Sequence, residues 1–578
     1  MLGSLLRQLF SARRAPAPVA SPSAPSLENA YARMNQGKAA EAAAIFEAVL
    51  AAHPPTSALL NDLGLCYVQL KRYFDAERIF REALRIDAAC TPARANLGNL
   101  YLQMDDPARA EEEYRRALED SPEDATQWNH LALSLRNAGR ADESVDCSRR
   151  ALQLAPQDES LRSNLLFTLL FSRRASARDL FEEAKSWAAL RADSLTDGAA
   201  PPENLPDPER PLRLGYVSAD LREHAVASFI EPLLARHDKD RFIVTCYANH
   251  AVEDAQSARL RGLAKGWRNV AALSDEEFAR QVRDDRIDLL VDLSGHTNGN
   301  RLAAFARKPA PLQFTYLGFP GSTGIRAIDY RITDAVFDPP DSDASDYVER
   351  LLRLPDSLWC FRPLGDFSDP SRSPALTRGF VTFGSFNGFH KLGPELLEEW
   401  AQLMIRVPQS RLLMVTVPEG VCRARVIELF EDSGIACERL SLRGRVPRSE
   451  FRALQQQCDI ALDGYPCGGG ATTCEVLWMG LPVITRRGAT PVSRAGASLL
   501  TTIGLQELIA RNKEDFIDIA ARLAADPERI DSLRQGMRAR MRASPLMQEE
   551  TFTRSLENLY RRAWRGWCEN RRSATQCR

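Results

Sequence analysis

The stretch DIALDGYPCGGGATTCEVLWMG, residues 459–480, decides how the second half of the chain folds. Its apolar start, which ends at Asp463, predicts a buried strand. Three glycines at 468–470 then predict a tight turn, and the run from Ala471 predicts a helix. A strand, a glycine turn and a helix in this order are the unit of a parallel α/β sheet, in which ligands bind at the carboxyl ends of the strands.

This glycine turn predicts a phosphate or diphosphate site. Glycines let backbone N–H groups approach a ligand, and a helix N-terminus carries partial positive charge with unpaired N–H donors. Threonine hydroxyls can add donors, and a glutamate one turn into the helix can accept from ribose hydroxyls. Helix capping by threonine and glutamate is the alternative, but capping alone does not require three glycines. The residues assigned to the site are Gly469, Gly470, Ala471, Thr472, Thr473 and Glu475.

On either side of this stretch, from Arg213 onward, short β-branched or aromatic runs alternate with helical ones. Continuous apolar runs of this kind suit parallel sheets covered on both faces. Two successive series predict two Rossmann-like domains, at 212–375 and 376–560, that face each other across a cleft. The predicted strands are 213–218, 242–247, 288–293 and 312–318 in the first series, and 380–387, 411–417, 439–444, 459–466 and 482–488 in the second.

Charged side chains follow several of these strands and are candidates for catalysis or binding. Lys391, after FGSFNGFH, can reach a phosphate of a leaving nucleotide, although most lysines are solvated surface residues. His224, in the loop after the first strand, can act as a base or hold a sugar or phosphate, and Asp220 precedes it by four residues. A structural histidine is the alternative. Arg448, after another strand, can support an anion.

Two loops of the first domain complete the candidate list. The loop LGFPGSTG, residues 317–324, has backbone amides that can line a sugar pocket, or it is simply a tight turn. The residues concerned there are Gly318, Pro320 and Gly321. The tripeptide Asp341-Ser342-Asp343 has the form of a D-x-D metal motif, but it stands in a polar loop after two prolines. We therefore predict no metal site.

The first part of the chain has a 34-residue period. This is the period of tetratricopeptide repeats, in which small residues let paired helices approach and several units stack. Small residues recur in register at Gly64, Gly98 and Ala132, and at Ala83, Ala117 and Ala151. Residues 26–156 are therefore predicted to form an all-α superhelix, with a degenerate first copy at 26–56. Its concave surface suits an extended polypeptide; a coincidental helical bundle is the alternative.

The remaining segments are predicted from composition. Residues 1–25 combine a short basic, partly apolar start with a run rich in Pro, Ala and Ser, and are predicted to be a disordered tail and linker. A signal or surface-binding helix over 1–14 is the alternative. Helices at 157–195 are predicted to cap the repeats, 196–211 to be a Pro-rich linker, and 561–578 to be a basic tail, solvated or serving as a docking patch.

Composition narrows the classes of protein. The 75 basic and 77 acidic side chains give a formal charge of -2, whereas nucleic-acid binders usually carry a basic excess. No apolar run approaches the roughly 18 residues that a membrane span requires. The twelve cysteines form no C-x-x-C pair, and we interpret them as reduced thiols of a cytoplasmic protein. We expect neither a nucleic-acid partner nor a membrane span.

Several longer strings resemble one known family. They are LGYVSAD, DLSGHTNGNR, RKPAPLQFTYLGFPGSTG, IDYRITD, FGSFN and TTCEVLWMG. Together they resemble the protein O-GlcNAc transferase family, including its SPINDLY-like branch, over 26–560. The family has tetratricopeptide repeats ahead of a metal-independent catalytic region with the two-domain GT-B fold. It transfers GlcNAc from UDP-GlcNAc, with inversion, to Ser or Thr of proteins, and the SPINDLY branch includes enzymes that use GDP-fucose.

The resemblance implies roles for the candidate residues. His224 matches the family's active-site histidine, and Asp220 matches its nearby acidic residue. Lys391 matches the lysine that stabilises the departing diphosphate. Thr472 would contact the diphosphate and Glu475 the ribose, where the family often has Asp.

The chain departs from the family at positions near the donor. Phe451 stands where relatives often have a histidine that stacks on the base. Arg448 matches a basic residue of the family that lies near the uracil. Gly470 replaces the histidine of a His-Thr-Thr run, and Gly388 replaces an Asn or Gln that would contact the base. Arg162 replaces a histidine before SNLL. These departures leave the fold and the transferase class intact but leave the donor's base and sugar open.

The expected function is therefore transfer of GlcNAc from UDP-GlcNAc, a donor substrate and not a cofactor, to protein acceptors bound by the repeats. One alternative keeps the fold but uses another donor, GDP-fucose or UDP-glucose. A second acts on a small molecule or glycan, and a third is a repeat scaffold that only binds nucleotide.

Overall fold

The computed structural model describes residues 26–341 and 344–576. The predicted tail at 1–25 lies outside the described residues, as do Ser342 and Asp343 of the D-x-D tripeptide. By its contacts the chain divides into two units. Of the described residues, the first unit contains 26–156 together with 418–424, and the second contains 157–417 together with 425–576.

Four helical pairs form the repeats, as the 34-residue period predicts. A Cβ atom on Gly64 would lie 2.4 Å from Cε1 of Phe80, and one on Gly98 would lie 2.6 Å from Cε1 of Tyr114. Only glycine lets the paired helices pack this closely. The helices are α1 (Leu27–Asn35), α2 (Ala39–Ala52), α3 (Ser57–Gln69), α4 (Tyr73–Ile86), α5 (Thr91–Gln103), α6 (Pro107–Asp120), α7 (Ala125–Asn137) and α8 (Ala141–Leu154).

The first Rossmann-like domain is built on a seven-stranded parallel sheet. Its strands are β1 (Leu212–Ser218), β2 (Phe242–Ala248), β3 (Gly266–Asn269), β4 (Leu289–Asp292), β5 (Leu312–Thr315), β6 (Tyr330–Asp334) and β7 (Arg350–Leu354). Their order in the sheet is β3-β2-β1-β4-β5-β6-β7. The order changes direction between β1 and β4, where Val217 pairs with Asp292. Such a switch point opens a crevice at the carboxyl ends of the strands.

The second Rossmann-like domain repeats this plan with six parallel strands. They are β8 (Thr382–Ser385), β9 (Arg411–Met414), β10 (Leu440–Leu442), β11 (Ile460–Leu462), β12 (Val483–Arg486) and β13 (Ile509–Ala510). Their order is β10-β9-β8-β11-β12-β13, so the switch point lies between β8 and β11. The predicted combination of helical repeats with two Rossmann-like domains is confirmed.

Helices surround both sheets. Those of the second unit are α9 (Glu159–Leu169), α10 (Ala177–Arg191), α11 (Asp193–Asp197), α12 (Ala227–Arg236), α13 (Ala255–Leu263), α14 (Asp275–Asp284), α15 (Leu302–Ala306), α16 (Ala375–Arg378), α17 (Pro394–Arg406), α18 (Val421–Asp432, whose first residues group with the repeats), α19 (Arg448–Gln456), α20 (Ala471–Trp478), α21 (Ala495–Thr502), α22 (Lys513–Ala524), α23 (Pro527–Ala543) and α24 (Glu549–Gln576). No helix in the described part of the chain is long and apolar enough to cross a membrane.

The helices at 157–195, predicted to cap the repeats, group with the second unit instead. Arg173, between α9 and α10, places Nη2 2.6 Å from Oε1 of Glu399 on α17. A Cβ atom on Gly324, in the loop after β5, would lie 2.3 Å from the carbonyl oxygen of Ala184 on α10. These helices are therefore packed against both Rossmann-like domains.

The predicted basic tail at 561–578 is wrong for the part that the structure describes, because residues up to 576 continue α24. Tyr560 and Trp564 of this helix are fully buried. The Tyr560 ring meets Phe314 of β5 edge to face at 5.1 Å, and Trp564 Nε1 donates to the Asp207 carbonyl at 2.8 Å. The sequence here has apolar residues at helical spacing between many arginines, which is why it was interpreted as a basic tail. Helix α24 packs against the first sheet although it follows the second sheet in sequence.

Candidate active site

One buried carboxylate holds the glycine turn before α20. Asp463 follows β11 and is 2% exposed. Its Oδ1 accepts from the N–H groups of Gly464 at 2.9 Å and Gly469 at 2.8 Å. Asn387 Nδ2 donates to the same oxygen at 3.0 Å, and Thr485 Oγ1 donates to Oδ2 at 2.8 Å. Burial raises the pKa of Asp463, and these donors oppose that rise. The turn is thus tied to β8 and β12.

Asn387 and Thr485 are residues that sequence reasoning does not single out. Asn387 lies two residues after β8. It belongs to the string FGSFN, which marks the end of this strand in the sequence. Its Oδ1 is buried and has no hydrogen-bond partner. A Cβ atom on Gly469 would lie 3.0 Å from this oxygen. The turn therefore has a free acceptor beside its glycine backbone.

Lys391 reaches the glycine turn from the other side. It ends a short 3-10 turn, Phe389–Lys391, and its Nζ donates to the carbonyl oxygen of Gly468 at 3.0 Å. Leu392, the next residue, pairs with Tyr465 of the turn in a single parallel bridge. The predicted lysine and the predicted glycine turn thus lie together, with an ammonium group next to the start of α20.

The N-terminus of α20 has no side-chain cap, because Gly470 stands at the capping position. Thr472 is half-buried and Thr473 is buried. A Cβ atom on Gly469 would lie only 2.4 Å from Thr473 Oγ1, so this position requires glycine. The first N–H groups of the helix are left to a ligand, as the pattern predicts. That Gly469, Gly470, Ala471 and the two threonines contact a diphosphate stays a prediction.

The two glycines that depart from the family pattern both lie beside aromatic rings. A Cβ atom on Gly470 would lie 3.4 Å from the ring of Trp359, and one on Gly388 would lie 2.6 Å from Cε1 of His390. Trp359 is itself fixed, since its Nε1 donates to Ser498 Oγ at 3.0 Å. Aromatic rings therefore occupy the space beside both glycines.

Arginines engage the glutamate that is predicted to bind ribose. Glu475 Oε1 accepts from Arg452 Nε at 3.0 Å, and its Oε2 lies 3.9 Å from Arg448 Nη2. Phe451, between these arginines in sequence, meets Phe386 edge to face at 5.7 Å. The structure thus brings the predicted Arg448, Phe451 and Glu475 to one place. It adds Arg452, which nothing in the sequence singles out.

His224 lies in the loop after β1, as predicted. Its Nδ1 accepts from the N–H of Val226 at 3.3 Å and lies 3.7 Å from Asp220 Oδ2. Partial burial lowers the pKa of His224, which favours the neutral ring. In that ring Nδ1 is the acceptor, so the proton is on Nε2. In this tautomer His224 can donate a hydrogen bond to a ligand through Nε2, and its predicted roles as a base or as a contact to sugar or phosphate stay predictions.

An ion pair connects the His224 loop to the second domain. Glu223 Oε1 lies 3.2 Å from Arg448 Nη1 at the start of α19. The side chains are 71% and 47% exposed, so the pair contributes little stability in water. It does show that the loop after β1 faces the end of the second domain that carries Glu475.

The predicted loop at 317–324 is held by contacts of the first domain. A Cβ atom on Gly318 would lie 2.3 Å from the Leu293 carbonyl oxygen, which explains the glycine. The carbonyl of Gly321 accepts from Arg331 Nη1 at 3.0 Å. Pro320 between them is half-buried. A role for these residues in sugar binding stays a prediction.

Within residues 26–341 and 344–576, no group of three or more His, Cys, Asp or Glu side chains is placed to hold a metal ion. Of the D-x-D tripeptide, only Asp341 belongs to these residues. The eleven cysteines of the described chain are all free thiols.

A buried histidine near the first switch point is not among the candidate residues predicted from the sequence. His296 is 3% exposed and lies edge to face with Trp187 at 5.0 Å and with Phe319 at 5.3 Å. Its Nε2 lies 2.8 Å from the Thr323 carbonyl, so this nitrogen carries the proton. Burial lowers the pKa of His296 to about 4.

This low pKa predicts acid sensitivity. The unfolded-state pKa of histidine is about 6.5, so His296 contributes stability above that pH, and the contribution is lost as the pH falls towards the folded value near 4. The variant His296→Gln keeps an amide donor for Thr323 and does not titrate. Its free energy of unfolding, measured with urea at several pH values, should fall less steeply below pH 6.5 than that of the wild type. Exposed His53→Gln is the control, and equal slopes for His296→Gln and wild type would refute the prediction.

Residues 199–368 and 371–556 match the model of Glycosyl transferase family 41, and residues 27–89 and 96–159 match a Tetratricopeptide repeat model. The solved structure of a lysine-to-methionine mutant of Thermobaculum terrenum O-GlcNAc transferase superimposes with a TM-score of 0.80 and 37% identity, over 89% of this chain and 99% of that one.

Two plant proteins are among the similar sequences. A probable UDP-N-acetylglucosamine--peptide N-acetylglucosaminyltransferase SPINDLY of Petunia hybrida is 38% identical over 428 residues, which are 72% of this chain and 45% of that protein. The protein of the same description from Arabidopsis thaliana is 36% identical over 427 residues, 72% of this chain and 46% of that protein. The chain thus spans about half the length of these curated relatives.

Proposed function

Because the chain belongs to glycosyl transferase family 41, we propose that it transfers N-acetylglucosamine from UDP-GlcNAc to serine or threonine hydroxyls of proteins. The names of its plant relatives and of its structural neighbour support this donor and a polypeptide acceptor. The observation that carries the proposal is the Lys391 ammonium group, 3.0 Å from the Gly468 carbonyl oxygen, beside a helix that no side chain caps. An ammonium group beside such a helix N-terminus supports the proposal that a leaving diphosphate binds here.

In the proposed reaction the diphosphate of the donor rests on the first N–H groups of α20 and on Lys391. An acceptor hydroxyl attacks the anomeric carbon in line, which inverts its configuration. Negative charge then develops on the leaving nucleotide, where the helix partial charge and the lysine ammonium stabilise it. These groups supply positive charge that a metal ion supplies in other transferases, so the proposal is metal-independent.

His224 has a binding role in this proposal. With Nδ1 engaged by the Val226 N–H, its Nε2–H donates to the sugar, the acceptor or a phosphate oxygen. Asp220, or a phosphate oxygen of the donor, then receives the acceptor proton. The variant that would distinguish this role is His224→Gln, whose amide nitrogen has a reach similar to that of Nε2 and keeps a hydrogen-bond donor there without titrating.

The nucleoside is proposed to lie against α19 and α20. Phe451 offers a ring for stacking on the base, and Glu475 is partly neutralised by Arg452. One carboxylate oxygen of Glu475 remains only loosely paired, at 3.9 Å from Arg448, and can still accept from a ribose hydroxyl. GDP-fucose and UDP-glucose are the alternative donors.

The tetratricopeptide repeats indicate interaction with proteins. That they hold the polypeptide acceptor, and that the protein acts in the cytoplasm, are parts of the proposal.

Direct assay of the full chain tests the function. Incubation with radiolabelled UDP-GlcNAc and a proteome treated to remove existing O-GlcNAc should label proteins through β-linked GlcNAc on serine or threonine, with EDTA present. Parallel reactions with labelled GDP-fucose and UDP-glucose should give much weaker labelling.

Three outcomes contradict the proposal. Stronger labelling from GDP-fucose or UDP-glucose would replace the donor. Labelling of glycans or small molecules alone would replace the acceptor. Tight UDP-GlcNAc binding without any transfer would favour a scaffold that only binds nucleotide.

A further inference from the structure

The connection between α9 and α10 contacts the glycine turn, although it lies outside both Rossmann-like domains. Arg173 in this connection places its guanidinium carbon 5.3 Å from the ring centroid of Tyr465. The same guanidinium binds Glu399, with Nη2 2.6 Å from Oε1. Tyr465 lies two residues after Asp463, in the glycine turn that Asp463 anchors.

A second arginine completes the cluster around this tyrosine. The guanidinium carbon of Arg486, at the end of β12, lies 3.5 Å from the Tyr465 ring centroid, and its Nη1 lies 2.9 Å from Oε2 of Glu399. The Glu399 side chain is 7% exposed and that of Arg486 is 9% exposed. One buried carboxylate therefore binds two guanidinium groups, each of which also lies near the same aromatic ring.

This arrangement stabilises one position of the Tyr465 ring. Cation–π contacts are strongest where water is excluded, and guanidinium groups stack on aromatic faces while they bind carboxylates. Without Arg173, Glu399 would keep only Arg486, and part of the cluster would be exposed to water. The glycine turn would then have more freedom.

The same connection also touches the lysine side of the site. The ring of Phe171 meets that of His390 edge to face, with centroids 4.9 Å apart and planes at 88°. His390 immediately precedes Lys391 in the 3-10 turn. Arg173 and Phe171 of this connection thus contact Tyr465 and His390. These two residues adjoin the glycine turn and Lys391, the groups that are proposed to bind the diphosphate.

We propose that Arg173 is a positioning residue of the donor site: through Tyr465 it holds the glycine turn in the shape that receives a nucleoside diphosphate. It touches no ligand itself. The role deepens the proposed function and rests on it for the identity of the donor.

The test compares Arg173→Ala and Arg173→Lys with the full-length wild type. The Kd for UDP is measured by calorimetry, and KM and kcat are measured with UDP-GlcNAc. Removing a largely desolvated cation–π contact and an ion pair should raise the UDP Kd about tenfold, and kcat/KM should fall at least as much. Lysine keeps the charge for Glu399 but loses the planar stacking, so Arg173→Lys should show a smaller increase in Kd.

Arg210→Ala is the matched control. Arg210, just before β1, pairs with Asp288 at 2.6 Å, with side chains 20% and 0% exposed, against 21% and 7% for Arg173 and Glu399, and its guanidinium carbon lies 4.9 Å from the Trp564 ring centroid. Its loss should lower the thermal unfolding temperature at least as much as the loss of Arg173 and leave the UDP Kd at the wild-type value.

The outcomes separate the two proposals. If the wild type binds UDP but transfers no sugar, the proposed function fails, while the affinity series still decides the role of Arg173. If both Arg173 variants bind UDP as the wild type does, or if Arg210→Ala weakens binding equally, the positioning role is overturned. If Arg173→Ala does not fold, Arg173→Lys decides alone. If the wild type binds no UDP, both proposals fail.

Discussion

Replacing Lys391 by alanine is expected to lower kcat by about 10²–10³-fold, the loss seen when one preorganised charge-stabilising group is removed. The Lys391 ammonium lies at the glycine turn, 3.0 Å from the Gly468 carbonyl oxygen. Because charge on the leaving diphosphate grows as the bond to the sugar breaks, the interaction strengthens in the transition state. The fall in kcat should therefore exceed any rise in KM. Steady-state kinetics with UDP-GlcNAc measure both.

Two further variants make this result specific. Lys391→Arg keeps the charge but not the compact ammonium group, so its kcat should lie between that of Lys391→Ala and that of the wild type. Lys265→Ala removes an exposed lysine of the first domain and should leave kinetics unchanged. Far-ultraviolet circular dichroism and thermal unfolding of Lys391→Ala should match the wild type. A kcat for Lys391→Ala equal to that of the wild type would remove the lysine from the mechanism.

Asp463→Ala is expected to have the second large effect, on both stability and binding. It leaves four donors without their acceptor: the N–H groups of Gly464 and Gly469, Asn387 Nδ2 and Thr485 Oγ1. Each unsatisfied buried donor costs about 1–3 kcal/mol, partly recovered by relaxation and water. We expect the free energy of unfolding to fall by about 3 kcal/mol and UDP affinity to fall by at least about a hundredfold because the turn loses its shape.

The first domain supplies a matched control for Asp463. Asp292, the last residue of the equivalent strand β4, is 1% exposed and accepts from the N–H groups of Ser294 and Gly295 at 3.0 and 2.8 Å and from Thr315 Oγ1 at 2.9 Å. Burial raises the pKa of Asp292 to about 6. Asp292→Ala should lose a similar amount of stability and keep most of its UDP affinity under conditions where it is folded. Equal loss of affinity in both variants would place the nucleotide elsewhere.

The sequence pattern located nine of the thirteen strands that the structure describes and missed β3, β6, β7 and β13. Every predicted run contains a strand, because most of these strands are covered on both faces and read as nearly unbroken apolar sequence. The inner strand β6 (Tyr330–Asp334) was missed because Arg331, Thr333 and Asp334 interrupt its apolar sequence. The edge strand β3 (Gly266–Asn269) has two exposed residues, and β13 (Ile509–Ala510) is only two residues long. Neither carries enough apolar sequence to be recognised by its pattern.

The candidate site divides in the same way. The glycine turn, the threonines and Lys391 follow strands directly, so their position relative to the sheet is set by local sequence. Trp359 beside Gly470, Arg452 on Glu475 and Thr485 on Asp463 meet their partners only after the chain has folded back. Contacts between distant parts of the chain leave no periodic signal, and one sequence alone does not reveal them.

The course of α24 has a consequence for synthesis of the chain. The buried Tyr560 and Trp564 belong to the core beneath the first sheet, yet they are translated long after β1–β7. While the ribosome is still making the second domain, the first has an uncovered apolar surface around Phe314. That domain can reach its final stability only after α24 has emerged, so its folding is coupled to the synthesis of α24, and a nascent chain stalled before Glu549 should be a better chaperone substrate than a chain that includes α24.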